Sequence, residues 1–408
     1  MLQKILGDSS ADRRSFFLVF GLIFNVFTWF FFLTSVITEI IDNYEMTGAP
    51  VIWGALYLSI VTFSIIGAVV SKQVNRIKFL KHWILFGAIA SLLPAMINDF
   101  TVTNLAVVSV ILGASFGLGM PSCLAFFTEA TRVDNRGRVA AITFLLASLV
   151  GPLLTVTFDY LSFSIIFIIC AVWRGSGLLV HGIKSNKQED SPEIPETSFV
   201  SILRSRPFLL YFGAWTMFCL VDAMETQIVT NALGVRLYET MEIIEPIFAS
   251  VFILVAGFMC DWIGRKKIVL SGFVSLGAAY AIIAFLNGLG DVIWYPYFVV
   301  DGAAWGIFYI TFVFILWGDL SQHAHKEKYY ALGSVPFFLS YIIPYFVNLP
   351  SADLTTAFSV AAFFLFLAVL PLISAPETLP EKKMELRRLR SFAEEAQKTK
   401  EKYERKLK

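Results

Sequence analysis

Asp222 and Glu225 stand one helical turn apart in a run of residues that is otherwise apolar, so a helix there puts both carboxyl groups on one face. Glu242 and Glu245 repeat that spacing in the next apolar run, with Glu239 just before them, and Asp301 lies about 14 Å into a third run at a rise of 1.5 Å per residue. Only one basic residue, Arg174, falls well inside any apolar run. Carboxylates that lack counter-ions cannot all stay ionised in a medium of low dielectric. They are expected to take up and release protons, or to be neutralised by a cationic ligand. Trp305, Tyr309 and Tyr341 follow in the sequence, with Trp294 and Tyr345, and aromatic faces attract organic cations. Asn25 and Thr28 in the first run and Gln227 beside Glu225 complete the polar inventory. Two blander readings stand beside this one. Glu239, Glu242 and Glu245 suit a solvated outer vestibule, and Arg174 suits a cation that snorkels to the membrane interface. An anionic substrate is disfavoured, because no second buried cation accompanies Arg174.

The elements that hold these acids follow from composition. Of 408 residues, 57% are hydrophobic and 15% charged, and 40 are Phe. A hydrocarbon core about 30 Å thick requires about 20 apolar residues per helix, and the chain supplies that length repeatedly. The fold class expected is an all-α membrane protein of twelve spans between residues 16 and 375. With the N-terminus inside, all but two of the 32 Lys and Arg fall in the N-terminal segment, the inner loops and the tail, the exceptions being Arg174 and Arg236. The outer loops carry Asp42, Glu45, Asp99, Asp291 and Asp353. Both termini are therefore expected in the cytoplasm of a cell that carries the chain in its plasma membrane. No cleavable signal peptide is expected, because the first apolar run is too long for one. The polar stretch 182–206 divides the spans into two sets of six, residues 1–181 and 207–375, and 376–408 is a charged tail. The four cysteines form no metal or redox spacing.

Offset by 190 residues, the two halves share their inner-loop chemistry. Gly67 aligns with Gly257, Arg76 with Lys266, Glu129 with Asp319, Arg136 with Lys326 and Arg138 with Lys328. Such agreement is what parallel repeats of a transporter leave behind. Gly257, Asp261, Gly264, Arg265, Lys266 and Lys267 then resemble the loop signature of the major facilitator superfamily. Glu129, Arg136 and Arg138 are similar to the element after the fourth span in its sugar-porter and organic-ion branches, and "PETLP" (376–380) is similar to the motif after the last span. The resemblance implies two pseudo-symmetric six-helix bundles that rock about a central cavity. It also implies a latch in which Asp261 faces the start of span five near Arg136 and Arg138, with Gly257, Gly264, Arg265, Lys266, Glu129 and Asp319 around it. The aligned position in the first half is Ser71, and Asn75 stands where Arg265 does, so the second latch is expected to carry a hydroxyl alone.

No phosphate-cradling loop, metal cluster or nucleophile–base pair is present, so neither an enzyme, nor an ATP-driven pump, nor a nucleic-acid binder is expected. The expectation is a monomeric secondary transporter without a cofactor, driven by a proton gradient, with an organic cation favoured as its small-molecule substrate and the lipid bilayer as its other partner. A sugar or neutral-metabolite porter remains the alternative. A non-transporting sensor with the tail as its output is the alternative of another class.

Overall fold

Inside a bilayer every backbone N–H and C=O must find a partner within the chain, which makes a helix the only form open to an isolated apolar run. A computed structural model describes residues 13–158, 160–180, 197–321, 324–347, 353–380 and Leu389. Much of the 182–206 linker and almost all of the 381–408 tail therefore lie outside the described residues. Among the described residues twelve principal helical elements follow in order, ten of them long and apolar enough to cross a membrane: α1 (Arg13–Asn43), α2 (Ala49–Val70), α3 (Arg76–Leu92), α4 (Val102–Ala130), α5 (Arg136–Leu153) and the shorter α6 (Phe163–Val180) in the first half. The second half holds α7 (Arg206–Ala232), α8 (Val235–Trp262), α9 (Arg265–Leu286), α10 (Asp291–Leu320), α11 (Lys326–Ser340) and α12 (Leu354–Ser374). No strand occurs among the described residues.

Within the first half α2 packs on α4, α1 on α5 and α6, and α3 on α6; within the second α8 packs on α10, α9 on α12, and α7 on α12. The halves meet through two equivalent seams, α5 against α8 and α2 against α11. Small residues permit the tightest approaches. A Cβ on Gly113 or Gly117 of α4 would lie 2.4 Å from the carbonyl oxygen of Leu56 or Ile60 in α2. Gly302 and Gly306 of α10 sit just as close to the carbonyls of Glu245 and Ala249 in α8. Each half thus uses a pair of glycines four residues apart.

Three spans are broken or widened, and Met120, Tyr309 and Tyr341 at these places line a space between the halves. Helix α4 breaks between Gly117 and Met120. Helix α10 widens into a π-helix over Tyr309–Ile315. Helix α11 stops at Ser340 and resumes for one turn at Ile343–Phe346, where Pro344 offers no N–H to a preceding turn. Between the halves the packing is aromatic: Phe27 meets Phe314 with ring centroids 5.4 Å apart, Phe144 meets Tyr309 at 5.4 Å, and Tyr57 stacks on Tyr341 at 4.9 Å.

Candidate functional site

A cavity of about 430 Å³ opens between the halves on the side away from the chain termini. The close approach at Gly302 presses α10 onto α8 at the level of Glu245, which brings the acids of two helices to one wall. The helical spacing of Asp222 and Glu225 adds two more from α7. Asp222, Glu225, Glu245 and Asp301 therefore share this cavity with Trp305, Tyr309 and Tyr341, and Phe31, Phe144 and Ser148 complete it from the first half. Among the described residues no Lys or Arg lines it. Glu225 accepts a hydrogen bond from the Tyr297 hydroxyl, whereas Oδ1 of Asp301 is buried with no partner among the described residues. A second, wider space of about 520 Å³ continues from Asp222 past Gln227 and Thr230 to Tyr345, near the far ends of α7 and α11. Gln227 is committed there, donating to the Val347 carbonyl at 3.1 Å.

Two residues singled out by type are placed elsewhere. Glu242 is exposed and is not on the cavity wall, in keeping with a vestibule. Asn25 is buried within the first half, where Nδ2 donates to the Trp173 carbonyl and to Ser176 Oγ at 3.2 Å. Its Oδ1 accepts from Arg174 at 3.2 Å. That contact corrects the snorkelling reading of Arg174. The guanidinium is fully buried, 4.2 Å from the ring centroid of Trp83 and 5.4 Å from that of Trp29. A Cβ on Gly87 would lie 2.6 Å from its Nε. The bundle is built around this cation, which no linear run of residues discloses.

The opposite end, which carries the basic loops, is closed by an ion network. Asp261 accepts from the backbone N–H groups of Gly137 and Arg138, both at 2.9 Å, and from Arg138 Nε at 3.3 Å. These N–H groups belong to the first turn of α5, so the carboxylate of one half meets the positive helix end of the other. Glycines permit the approach: a Cβ on Gly137 would lie 2.3 Å from the Gly257 carbonyl oxygen, and one on Gly257 2.4 Å from the Cβ of Ala141. Arg265 is buried at the centre, donating to Asp319 at 3.0 Å, to the Cys260 carbonyl at 2.9 Å and to the Val133 carbonyl of the other half. Asp319 also pairs with Arg136 across the halves.

Glu377, from "PETLP", accepts from the N–H groups of Arg265 at 2.9 Å and Lys266 at 3.2 Å. It thereby satisfies the first turn of α9 next to Gly264, whose φ of 116° suits glycine. Lys266 itself donates to the Ile373 carbonyl at 2.6 Å. The start of the 376–408 segment is thus part of the closure, with Leu379 buried and Thr378 donating to Asp319 at 3.2 Å.

The second seam overturns the expectation of a latch with a hydroxyl alone. Ser71 Oγ is buried without a partner among the described residues. The charge has moved: Arg76 pairs with Glu129 of its own half and with Glu327 of the other, and Lys326 reaches Glu129 at 3.5 Å. Glu327 occupies the position equivalent to Gly137 at the 190-residue offset. One seam therefore sets an acid at the end of α8 against the start of α5; the other sets a base at the start of α3 against an acid at the start of α11. Comparing Ser71 with Asp261 alone hid this exchange, although Arg76 was already aligned with Lys266.

The sequence model of the Major Facilitator Superfamily matches residues 16–343. No curated sequence is significantly similar to the chain. Among solved structures, the proton:xylose symporter XylE bound to 6-bromo-6-deoxy-D-glucose is 14% identical with a TM-score of 0.65, over 89% of this chain and 96% of its own. The human organic anion transporter MFSD10 (TETRAN) is 13% identical with a TM-score of 0.66, over 88% and 99%. The E. coli fucose:proton symporter FucP is 14% identical with a TM-score of 0.67, over 88% and 97%. At such identities these likenesses concern the fold alone.

Proposed function

The chain belongs to the major facilitator superfamily of membrane transporters, and on that premise we propose that it carries an organic cation across the plasma membrane in exchange for, or together with, protons. The reading rests on one observation: four carboxylates, Asp222, Glu225, Glu245 and Asp301, converge on an aromatic-walled cavity with no basic residue among the described ones. Desolvated carboxylates in that number require positive charge from a bound cation or from protons. Competition between the two for the same oxygens couples their movements. The organic anion named for one structural neighbour does not suit these walls.

In this reading residues 1–181 and 207–375 are the two rocking units of a monomer, 182–206 is their linker, and both termini lie in the cytoplasm, as the loop charges favour. The basic-end network then seals the cytoplasmic side while the acidic cavity faces outward. The proton gradient supplies the energy without a cofactor.

The test is flux in liposomes. An imposed pH gradient is expected to drive accumulation of a quaternary ammonium, and Asp301→Asn to reduce that accumulation at least about tenfold, equivalent to about 1.4 kcal/mol of lost binding or coupling. Flux indifferent to the gradient, with Asp301→Asn and Asp222→Asn both fully active, would refute the reading. A chain that moves no cation, sugar or neutral metabolite under any gradient would favour a sensor.

A further inference from the structure

Next to the acidic cavity, deeper between the halves, lies a second chamber of about 200 Å³. The two share Phe31, Phe144, Tyr309 and Tyr341 as wall residues. The chamber is apolar: the first half contributes Phe27 and Phe30, and the second Phe312 and Phe338. Several of its polar side chains are spent on backbone carbonyls, Trp317 Nε1 alone being buried without a partner among the described residues. Thr34 Oγ1 donates to the Phe31 carbonyl at 3.0 Å, and Ser334 Oγ to that of Ala331 at 3.0 Å. Trp215 Nε1 donates to the Gly333 carbonyl at 3.1 Å, and the Tyr330 hydroxyl to that of Phe314 at 2.6 Å. A hydroxyl-rich ligand entering here would lose its hydration with few groups to replace it. An apolar group would gain the transfer free energy of its surface. An apolar cavity of about 150 Å³ is known to stay dry and to hold benzene, so this chamber has room for one aromatic ring or a short branched alkyl group.

We infer that the transported cation is an amphiphile, with its ammonium against Asp222, Glu225 and Asp301 and a single aryl or compact alkyl group in the Phe27–Phe338 chamber. The inference rests on the cation reading above and narrows it to a substrate class. Because the chamber walls come from both halves, the apolar group touches both moving units, while the head is held chiefly by the second half. Small hydrophilic cations would fill only the acidic cavity and are expected to be poor substrates.

Equilibrium binding to the purified full-length protein separates the two claims. The probes are tetramethylammonium, benzyltrimethylammonium, and straight-chain alkyltrimethylammonium ions of increasing length. Affinity is expected to rise about fourfold for each methylene buried, to level off when the chamber is full, and to be at least about tenfold higher for the benzyl than for the tetramethyl ion. Val313→Trp, which fills the chamber, should abolish the gain and leave tetramethylammonium binding unchanged. Phe338→Ala, which enlarges it, should move the plateau to a longer chain. Equal affinities for all these ions in the unaltered protein would overturn the inference and leave the cation reading standing. Failure of every ion to bind would remove both.

Discussion

Replacing Asp261 by Asn should release the closed basic end, by an amount that follows from its contacts. The carboxylate presents Oδ1 to the Gly137 N–H and Oδ2 to the Arg138 N–H, each at 2.9 Å, and Oδ2 also receives Arg138 Nε at 3.3 Å. The side chain is almost fully buried. Asn keeps one acceptor and turns the other into an NH2 group, which then faces a backbone N–H. Each oxygen holds two donors, since Oδ1 also receives Arg265 Nη2 at 3.4 Å. Two hydrogen bonds to the charged group are therefore lost, at about 1.5–3 kcal/mol each, and a buried backbone donor is left unmatched at a further 1–3 kcal/mol. Relaxation recovers much of that sum, so a net loss of about 2–4 kcal/mol is expected. The ratio of basic-end-closed to basic-end-open molecules should then fall about 30-fold or more.

A cysteine at Thr230, on the wall of the far-side space, reports the change through its reaction with a membrane-impermeant maleimide. The native cysteines 123, 170, 219 and 260 are all buried and give a low background. Labelling of Thr230→Cys should slow markedly in the Asp261→Asn background and stay unchanged with Ser71→Ala, whose hydroxyl has no partner to lose. Equal labelling in the two backgrounds would show that Asp261 does not hold the halves together.

The other seam offers a charge-exchange test. Glu327→Arg should weaken closure by opposing Arg76, Arg76→Glu in the same chain should restore part of it, and the coupling measured by the same labelling should be about 1–3 kcal/mol; strictly additive effects would dismiss the pair. Gly137→Ala places a methyl 2.3 Å from the Gly257 carbonyl, an overpacking worth about 1–3 kcal/mol against the closed form alone. Transport should fall while the thermal midpoint of the detergent-solubilised protein changes little. A variant that transports normally would mean that the seam opens and closes by another route.

How far the sequence reached depended on whether a residue's partner was encoded near it or across the fold. The spans were legible because apolar length and loop charge are properties of contiguous residues. Asp222, Glu225, Asp301, Glu242 and Glu245 stood out together because isolated acids in apolar runs need a common explanation, and all but Glu242 line one cavity. Glu242 matched Glu245 in spacing, yet the exposed face of α8 took it. Arg174 Nη1 donates to Asn25 over 149 residues of separation, while its Nε and Nη2 find no hydrogen-bond partner among the described residues, and the contact needs α1 and α6 side by side. The repeat exposed the first seam by analogy and hid the second, since symmetry kept a charged contact there while changing which helix end carries the acid.

That exchange matters less for the strength of the closure than for what it is attached to. Helix α8 carries Glu245 in the acidic cavity and Asp261 in the basic-end network, and α10 carries Asp301 and Asp319 in the same two places. Along α8 the two acids are about 24 Å apart at 1.5 Å per residue. The Gly302 and Gly306 approaches to Glu245 and Ala249 tie the two helices together at cavity level. In the proposed function, a ligand that draws Glu245 and Asp301 toward itself would act on two joined helices that reach the first seam, α10 through its π-helical turn at Tyr309–Ile315. The second seam, made by Arg76 and Glu327, belongs to α3 and α11, and neither residue shares a helix with a cavity acid. Charge in the cavity is thus mechanically linked to the Asp261 seam and not directly to the Arg76 seam. If the chain works as proposed, the α5–α8 seam is expected to respond to the ligand more directly than the α2–α11 seam.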